Sequence, residues 1–278
     1  FIFDPKNEKA KDIGESYGVS VEDDLELMLG QVDAVIIASP TVTHADYVRQ
    51  VAKYVKNIFV EKPLADTLLE ADSLWALSQK NGLNIQVGFI ERFNPAVEQL
   101  KKVLDQSTKI VSVDFARTNK ISTRITDVDV IADLMIHDID IVTTLMKKKI
   151  KNVSAFGKKI ITKSTDIANV RLEFFGGAVA NLTASRISQK NERKIRVFEK
   201  DKYYSVDFMN SNIKKYIKNA KTNKELFSFK EFKYDKTDAL KDEINNFILS
   251  CLGKEKPLVD GKQGKAAVET ATLISKLL

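Results

Sequence analysis

The chain opens with short apolar runs that alternate with amphipathic stretches. Residues 1–3 read as the end of a strand, followed by a polar helix over 6–17; Gly18 then sets off a short strand containing Val19. Residues 21–29 read as a helix with Leu25, Met28 and Leu29 on one face. Residues 34–38 are uninterrupted apolar sequence between Asp33 and Pro40, as expected of a parallel strand buried on both faces. A helical repeat over 43–54 leads to a strand at 58–60. A long helix over 66–81 follows, with Asp66 or Thr67 as N-cap and Gly82 at its end, and then a strand at 85–88. Strand, helix and strand at this spacing predict βαβ units and a parallel sheet.

Beyond Arg92 the rhythm changes. A helix over 95–105 precedes a strand at 110–116, a polar loop and a helix over 130–146. Strands are then expected in succession at 153–161, 169–175, 178–184, 194–198 and 203–207, with Gly176-Gly177 as a hairpin turn. The Lys/Asn-rich stretch 210–224 reads as a solvated loop. A strand at 226–232 and helices over 238–252 and 263–278 complete the chain. This pattern predicts an α+β domain on a mostly antiparallel open sheet, so the chain divides into residues 1–92 and 93–278.

Composition narrows the function classes. At 44% hydrophobic and 29% charged residues the chain is not disordered, because it has the apolar surface that folding needs. The lone Cys251 excludes a disulfide within one chain and a cysteine-based zinc site. No apolar run approaches the ~20 residues of a membrane helix, and without a signal-like segment the chain reads as intracellular and cytoplasmic. The net charge of +6 is a weak case for nucleic acid, since only eight of the 44 basic residues are arginine and the lysines are spread throughout.

Candidate chemistry clusters at predicted strand ends. Asp4 closes the first strand, where an acidic residue can accept hydrogen bonds from ribose hydroxyls and repel a 2′-phosphate, or can simply cap the next helix. Ser39, Pro40, Thr41 and His44 follow the long strand at 34–38, at the edge where ligands bind in open α/β sheets; Thr41 or Thr43 could equally be an N-cap. Glu61-Lys62-Pro63 puts a lysine at that same edge, able to exchange a proton with a substrate hydroxyl or to be one more surface lysine. Asp133 and His137, four apart on a predicted helix, share a face, and Asp140 extends the set. A carboxylate beside His137 would fix its tautomer and raise its basicity; the alternative is a half-buried structural histidine. Asp133, His137 and Asp140 supply no second histidine, and no metal is expected.

Together the Glu61-Lys62-Pro63 turn and the D-x-x-x-H of Asp133 and His137 resemble the glucose–fructose oxidoreductase/inositol dehydrogenase/rhizopine catabolism family. The resemblance runs along essentially the whole chain, including the late P-x-x-x-G of Pro257 and Gly261. It implies a Rossmann-type NAD-binding domain over 1–92 and a substrate-binding and oligomerisation domain over 93–278. It further implies hydride transfer between a sugar hydroxyl and NAD, rather than NADP. The segments 87–97, 124–130 and 133–140 are similar to a subgroup that oxidises the 3-hydroxyl of UDP-N-acetylglucosamine; a free sugar or inositol is the alternative substrate, and a non-catalytic assembly role the alternative class.

The resemblance makes Lys62 and His137 the proton-handling residues, with Asp133 shaping the substrate site. Asp4, Ser39, Pro40, Thr41, His44, Glu61, Pro63 and Arg92 fall on the cofactor side. Asn94, Arg117, Arg124, Arg186 and Arg193 become candidates for the sugar and its diphosphate, whose oxygens suit guanidinium forks. A homodimer or homotetramer is expected. Two departures stand out. Met135 replaces a glycine common in the family. No G-x-G-x-x-G turn precedes Asp4, so a first βα unit of roughly 25–35 residues is expected to be missing upstream.

Overall fold

The computed structural model describes residues 1–104, 109–120, 129–219, 227–235 and 237–278. The first part follows the βαβ expectation. Strands β1 (Ala34–Ile37), β2 (Asn57–Glu61) and β3 (Asn84–Gly88) form a parallel sheet in that order, with Val35 opposite Ile58 and Val60 opposite Val87. The strands expected around Phe3 and Val19 shrink to one parallel bridge between Ile2 and Val21. Helices α1 (Asn7–Tyr17) and α2 (Leu25–Leu29) precede β1, and α3 (Thr41–Val51) and α4 (Leu68–Asn81) connect the strands.

Local chemistry sets these boundaries. Helix α2 begins at Leu25 and not Val21, because the Asp24 carboxylate accepts the amides of Glu26 and Leu27. Thr67 caps α4 by accepting Glu70 N, and Gly82 ends it at φ +63°. Neither threonine caps α3: Pro40 holds the N-cap position, and the Thr43 hydroxyl lies 2.7 Å from both Ser39 Oγ and Pro40 O.

After a 3₁₀ turn (Ile90–Phe93) and α5 (Pro95–Leu104), the chain enters an eight-stranded sheet. Its strands are β4 (Ile110–Lys120), β5 (Ile150–Lys158), β6 (Ile167–Phe174), β7 (Val179–Ser188), β8 (Glu192–Glu199), β9 (Lys202–Asp207), β10 (Asn212–Lys218) and β11 (Phe227–Lys233). The order is β11-β10-β9-β8-β4-β7-β6-β5, antiparallel except for the β4–β7 pair. Gly176 and Gly177, both at positive φ, turn β6 into β7. The solvated loop expected over 210–224 is corrected: β10 occupies part of it, paired on both sides and anchored by the buried Ile213.

One face of this sheet is apolar, through residues such as Val113, Leu172, Leu182, Val197 and Val206, and packs on helices. The helix expected over 130–146 is not uniform. Ile131–Met135 is a π turn, in which Ile136 N bonds Ile131 O, and α6 (Ile136–Met146) continues from it. Helix α7 (Ala239–Cys251) returns to β3 and the 3₁₀ turn, and α8 (Gly261–Ser275) lies between α4 and α6. An Asp260–Gln263 capping box starts α8. Among the described residues no helix is long and apolar enough to cross a membrane.

Candidate active site

Lys62 leaves the carboxyl end of β2 and reaches across to the π turn. Its Nζ donates to the Asp133 carbonyl at 2.8 Å and lies 3.4 Å from Asp133 Oδ1. Both side chains are mostly but not wholly covered. Two expected site residues, seventy-one positions apart, are thus in direct contact.

His137 stands one turn on, half-buried, with its ring edge-on to Phe89 at a centroid distance of 6.0 Å. Its Nδ1 is buried and has no hydrogen-bond partner among the described residues. The expected pairing with a carboxylate is corrected. Asp133 is engaged by Lys62 and Asp140 by Arg92, and the π turn breaks the four-residue repeat on which the pairing rested. The effect on basicity is the reverse of that expected. Burial, then the positive charges of Arg117, Lys62 and Arg193, holds the imidazole well below its usual 6.5.

The arginines are corrected in turn. Arg92 does not face a ligand; it forms a two-point ion pair with Asp140 inside the protein, with Nη2 3.1 Å from Oδ1. Arg117, only 2% exposed, donates to Asp138 Oδ1 at 3.0 and 2.7 Å and to Glu91 Oε1 at 2.7 Å. Arg186 is tied to Asp166, Ser164 and the Thr165 carbonyl. Arg193 keeps 37% side-chain exposure, and its Nη1 lies 3.8 Å from Glu91. Arg124 lies outside the described residues. Burying a guanidinium demands a fixed carboxylate partner, and most of these arginines serve that purpose. Glu91 and Asp138, the partners, were not singled out in the sequence; they sit inside noted segments, but their pairing depends on where β4 meets α6.

Around β1 and β2 the residues separate into surface and interior. Ser39 and Thr41 are half-buried, and Pro40 is exposed at the end of β1. His44 does not line a crevice: it is fully buried, its Nδ1 2.8 Å from Pro63 O and its Nε2 2.9 Å from Ser39 O, joining the turns after β1 and β2. Glu61 accepts Lys62 N through Oε2 at 3.2 Å, and burial raises its pKa. Pro63 is buried, and the Lys62–Pro63 peptide is cis. Asp4 accepts Lys6 N through Oδ1 at 2.8 Å, and its Oδ2 has no protein partner among the described residues. Asn94 caps α5 by accepting Ala96 N. Among the described residues no group of three or more His, Cys, Asp or Glu could hold a metal.

Comparison with known proteins adds to this geometry. Residues 1–89 match a model described as an oxidoreductase family with an NAD-binding Rossmann fold, and 111–203 match the GFO/IDH/MocA C-terminal domain. A UDP-N-acetylglucosamine 3-dehydrogenase of Acidithiobacillus ferrooxidans is 30% identical over 272 residues, covering 97% of this chain and 86% of its own. A crystal form of that organism's enzyme superposes with a TM-score of 0.93 at 29% identity, over 99% of this chain and 88% of the other. A myo-inositol 2-dehydrogenase of Thermotoga maritima is 26% identical over 96% of this chain and 84% of its own.

Proposed function

Because the chain belongs to the GFO/IDH/MocA oxidoreductase family, we propose that it oxidises the 3-hydroxyl of UDP-N-acetylglucosamine to a ketone, with NAD as the hydride acceptor. The observation that carries this reading is the contact between Lys62 and Asp133, with an unpartnered imidazole nitrogen beside it, at the carboxyl edge of a parallel sheet. A positive donor and a neutral base at one point suit an alcohol that must lose its proton as its carbon loses a hydride.

The residues fit a dinucleotide at that edge. The free Asp4 Oδ2 suits a ribose hydroxyl, and its charge disfavours a 2′-phosphate, hence NAD over NADP. Ser39, Pro40 and Thr41 would border the rest of the cofactor, which when bound accepts the hydride. His137, kept neutral, takes the proton from the sugar hydroxyl. Lys62, held by Asp133, donates a hydrogen bond to the same oxygen and stabilises its developing negative charge. Arg193 contacts the diphosphate, and the amide nitrogen of Asn94 contacts the sugar. The open polar face of the large sheet, with Asp114, Asn181 and Arg171 hydrogen-bonded in a row, seats a second copy of the chain in a cytoplasmic homodimer or homotetramer.

Myo-inositol is the second candidate substrate. Arg92, Arg117 and Arg186 are committed to internal ion pairs, which leaves Arg193 as the one candidate arginine for a diphosphate among the described residues. The test is NADH formation on a panel of UDP-N-acetylglucosamine, free N-acetylglucosamine and myo-inositol. Turnover of the nucleotide sugar alone is expected, and Lys62→Ala should lower kcat at least about a hundredfold, the scale of losing one positioned proton-handling group. Turnover of inositol alone would reassign the substrate, and undiminished turnover by Lys62→Ala would remove the lysine from the mechanism.

A further inference from the structure

Behind the Glu61-Lys62-Pro63 turn lies a second carboxyl group that the reaction above does not use. Glu243, on α7, is 1% exposed, and its Oε1 is buried with no hydrogen-bond partner among the described residues. Gln86, on β3, is fully buried; its Nε2 donates to the Glu243 carbonyl at 3.1 Å, which leaves its own Oε1 buried and unpartnered. Glu61 completes the cluster. Its Oε2 receives Lys62 N and presses so closely on Gly88 that a Cβ there would lie 2.9 Å away. Glu243 and Gln86 thus each bury an acceptor oxygen without a donor where Phe247 of α7 packs on Phe59 of β2, and Glu61 is near enough for its charge to act on Glu243. Buried acceptors without a donor are costly, and a second carboxylate within electrostatic reach adds to the cost of charging the first.

No cation resolves the conflict. Among the described residues none is ion-paired or hydrogen-bonded to Glu243. From the end of β2, Glu61 faces it, while Lys62 is turned to Asp133. From the 3₁₀ turn packed on α7, Glu91 is engaged by Arg117, and Arg92 by Asp140. From β3 comes the uncharged Gln86, and Asp260 beside it caps α8. On α7 itself Lys241 and Asp242 point to solvent. His44 lies beyond Glu61, bound to two carbonyls.

We propose that Glu243 is a positioning residue for the Glu61-Lys62-Pro63 turn, standing as a neutral carboxylic acid whose proton supplies the donor this cluster lacks. A neutral Glu243 leaves Glu61 free to hold the Lys62 amide and fix where the lysine begins. Burial, reinforced by the Glu61 charge, pushes Glu243 up to about 8, in agreement with the geometry. The positioning role rests on Lys62 being the working lysine; the protonation of Glu243 does not.

The decisive experiment is thermal unfolding of the full chain and of Glu243→Gln, without substrate, from about pH 5 to about pH 9. A carboxyl whose pKa is higher folded than unfolded stabilises at low pH and loses that contribution as pH rises through the folded value. The melting temperature of the wild type should therefore fall relative to Glu243→Gln as pH rises, and the difference should level off near pH 8. A difference that does not vary with pH would overturn the proposal. If Glu243→Gln fails to fold, Glu61→Gln serves instead: removing the neighbouring anion should flatten the decline, and an unchanged decline would overturn it. For positioning, Glu243→Leu should lower kcat about tenfold at constant sugar KM, with Glu243→Gln restoring it. Equal loss in both variants would overturn that role, whereas full activity of Lys62→Ala would remove the lysine from the mechanism and the positioning role with it, leaving only the protonation of Glu243, which the melting curves test separately.

Discussion

Lys62 and His137 stand close together at the site but have opposite surroundings. The lysine has a carbonyl and a carboxylate oxygen within reach, whereas the imidazole has three neighbouring cations and a buried nitrogen without a partner. The consequence is a base that remains unprotonated on the acid side of neutrality. In a pH profile of kcat/KM, activity should fall as pH drops through the His137 pKa, and that midpoint should lie below 6.5. A midpoint at or above 6.5 would mean that a carboxylate supports the ring after all. Lys62, Asp133 and His137 stood out in the sequence because each belongs to a short motif at a predicted strand end or helix face, but those motifs alone fitted a surface lysine and a structural histidine equally, and only the family resemblance gave them roles. The environment of His137 was not: the cations that lower its pKa come from β2, β4 and β8, and no local spacing records that convergence.

At the level of elements, the site depends on two irregularities and one internal clamp. The π turn at Ile131–Met135 presents the Asp133 carbonyl to Lys62, and the turn after β2 brings the lysine to it. The Arg92–Asp140 pair ties the 3₁₀ turn to α6, with side chains 5% and 3% exposed. Removing one member strands the other charge in a dry interior. Arg92→Ala should therefore cost about 3–5 kcal/mol in urea unfolding, while the apolar double replacement Arg92→Met with Asp140→Leu should recover much of that loss. A loss below about 1 kcal/mol for Arg92→Ala would show that the pair is solvated. Helices and strands with clean apolar periods were legible. Strand β10 was not, because lysines at 214, 215 and 218 give it the composition of a loop. The strand nonetheless pairs with both β9 and β11, with the Lys215 stem laid over the Tyr204 ring, its Nζ 5.5 Å from the centroid. The π turn leaves no trace in a sequence whose apolar pattern also fits an α-helix.

The whole molecule is a parallel sheet and a large, mostly antiparallel sheet joined by the active site and by the last two helices. The change of rhythm near Arg92 made the two sheets legible. The return of α7 to β3, and of α8 to a place between α4 and α6, was not, since contacts so distant in the chain follow from the assembled shape. That return sets α7 and α8, from the second half of the chain, against β3 of the parallel sheet, and buries Glu243 there. On the function proposed above, this arrangement serves one event, the passage of a hydride from a sugar carbon to the nicotinamide while His137 and Lys62 manage the hydroxyl. The most direct test supplies UDP-N-acetylglucosamine deuterated at C3, with NAD, and follows the label by mass spectrometry. Deuterium should appear in the reduced nicotinamide, with a 3-keto nucleotide sugar as product and slower turnover than with unlabelled substrate. Unlabelled NADH, or no reduction of NAD by this sugar, would contradict that hydride transfer.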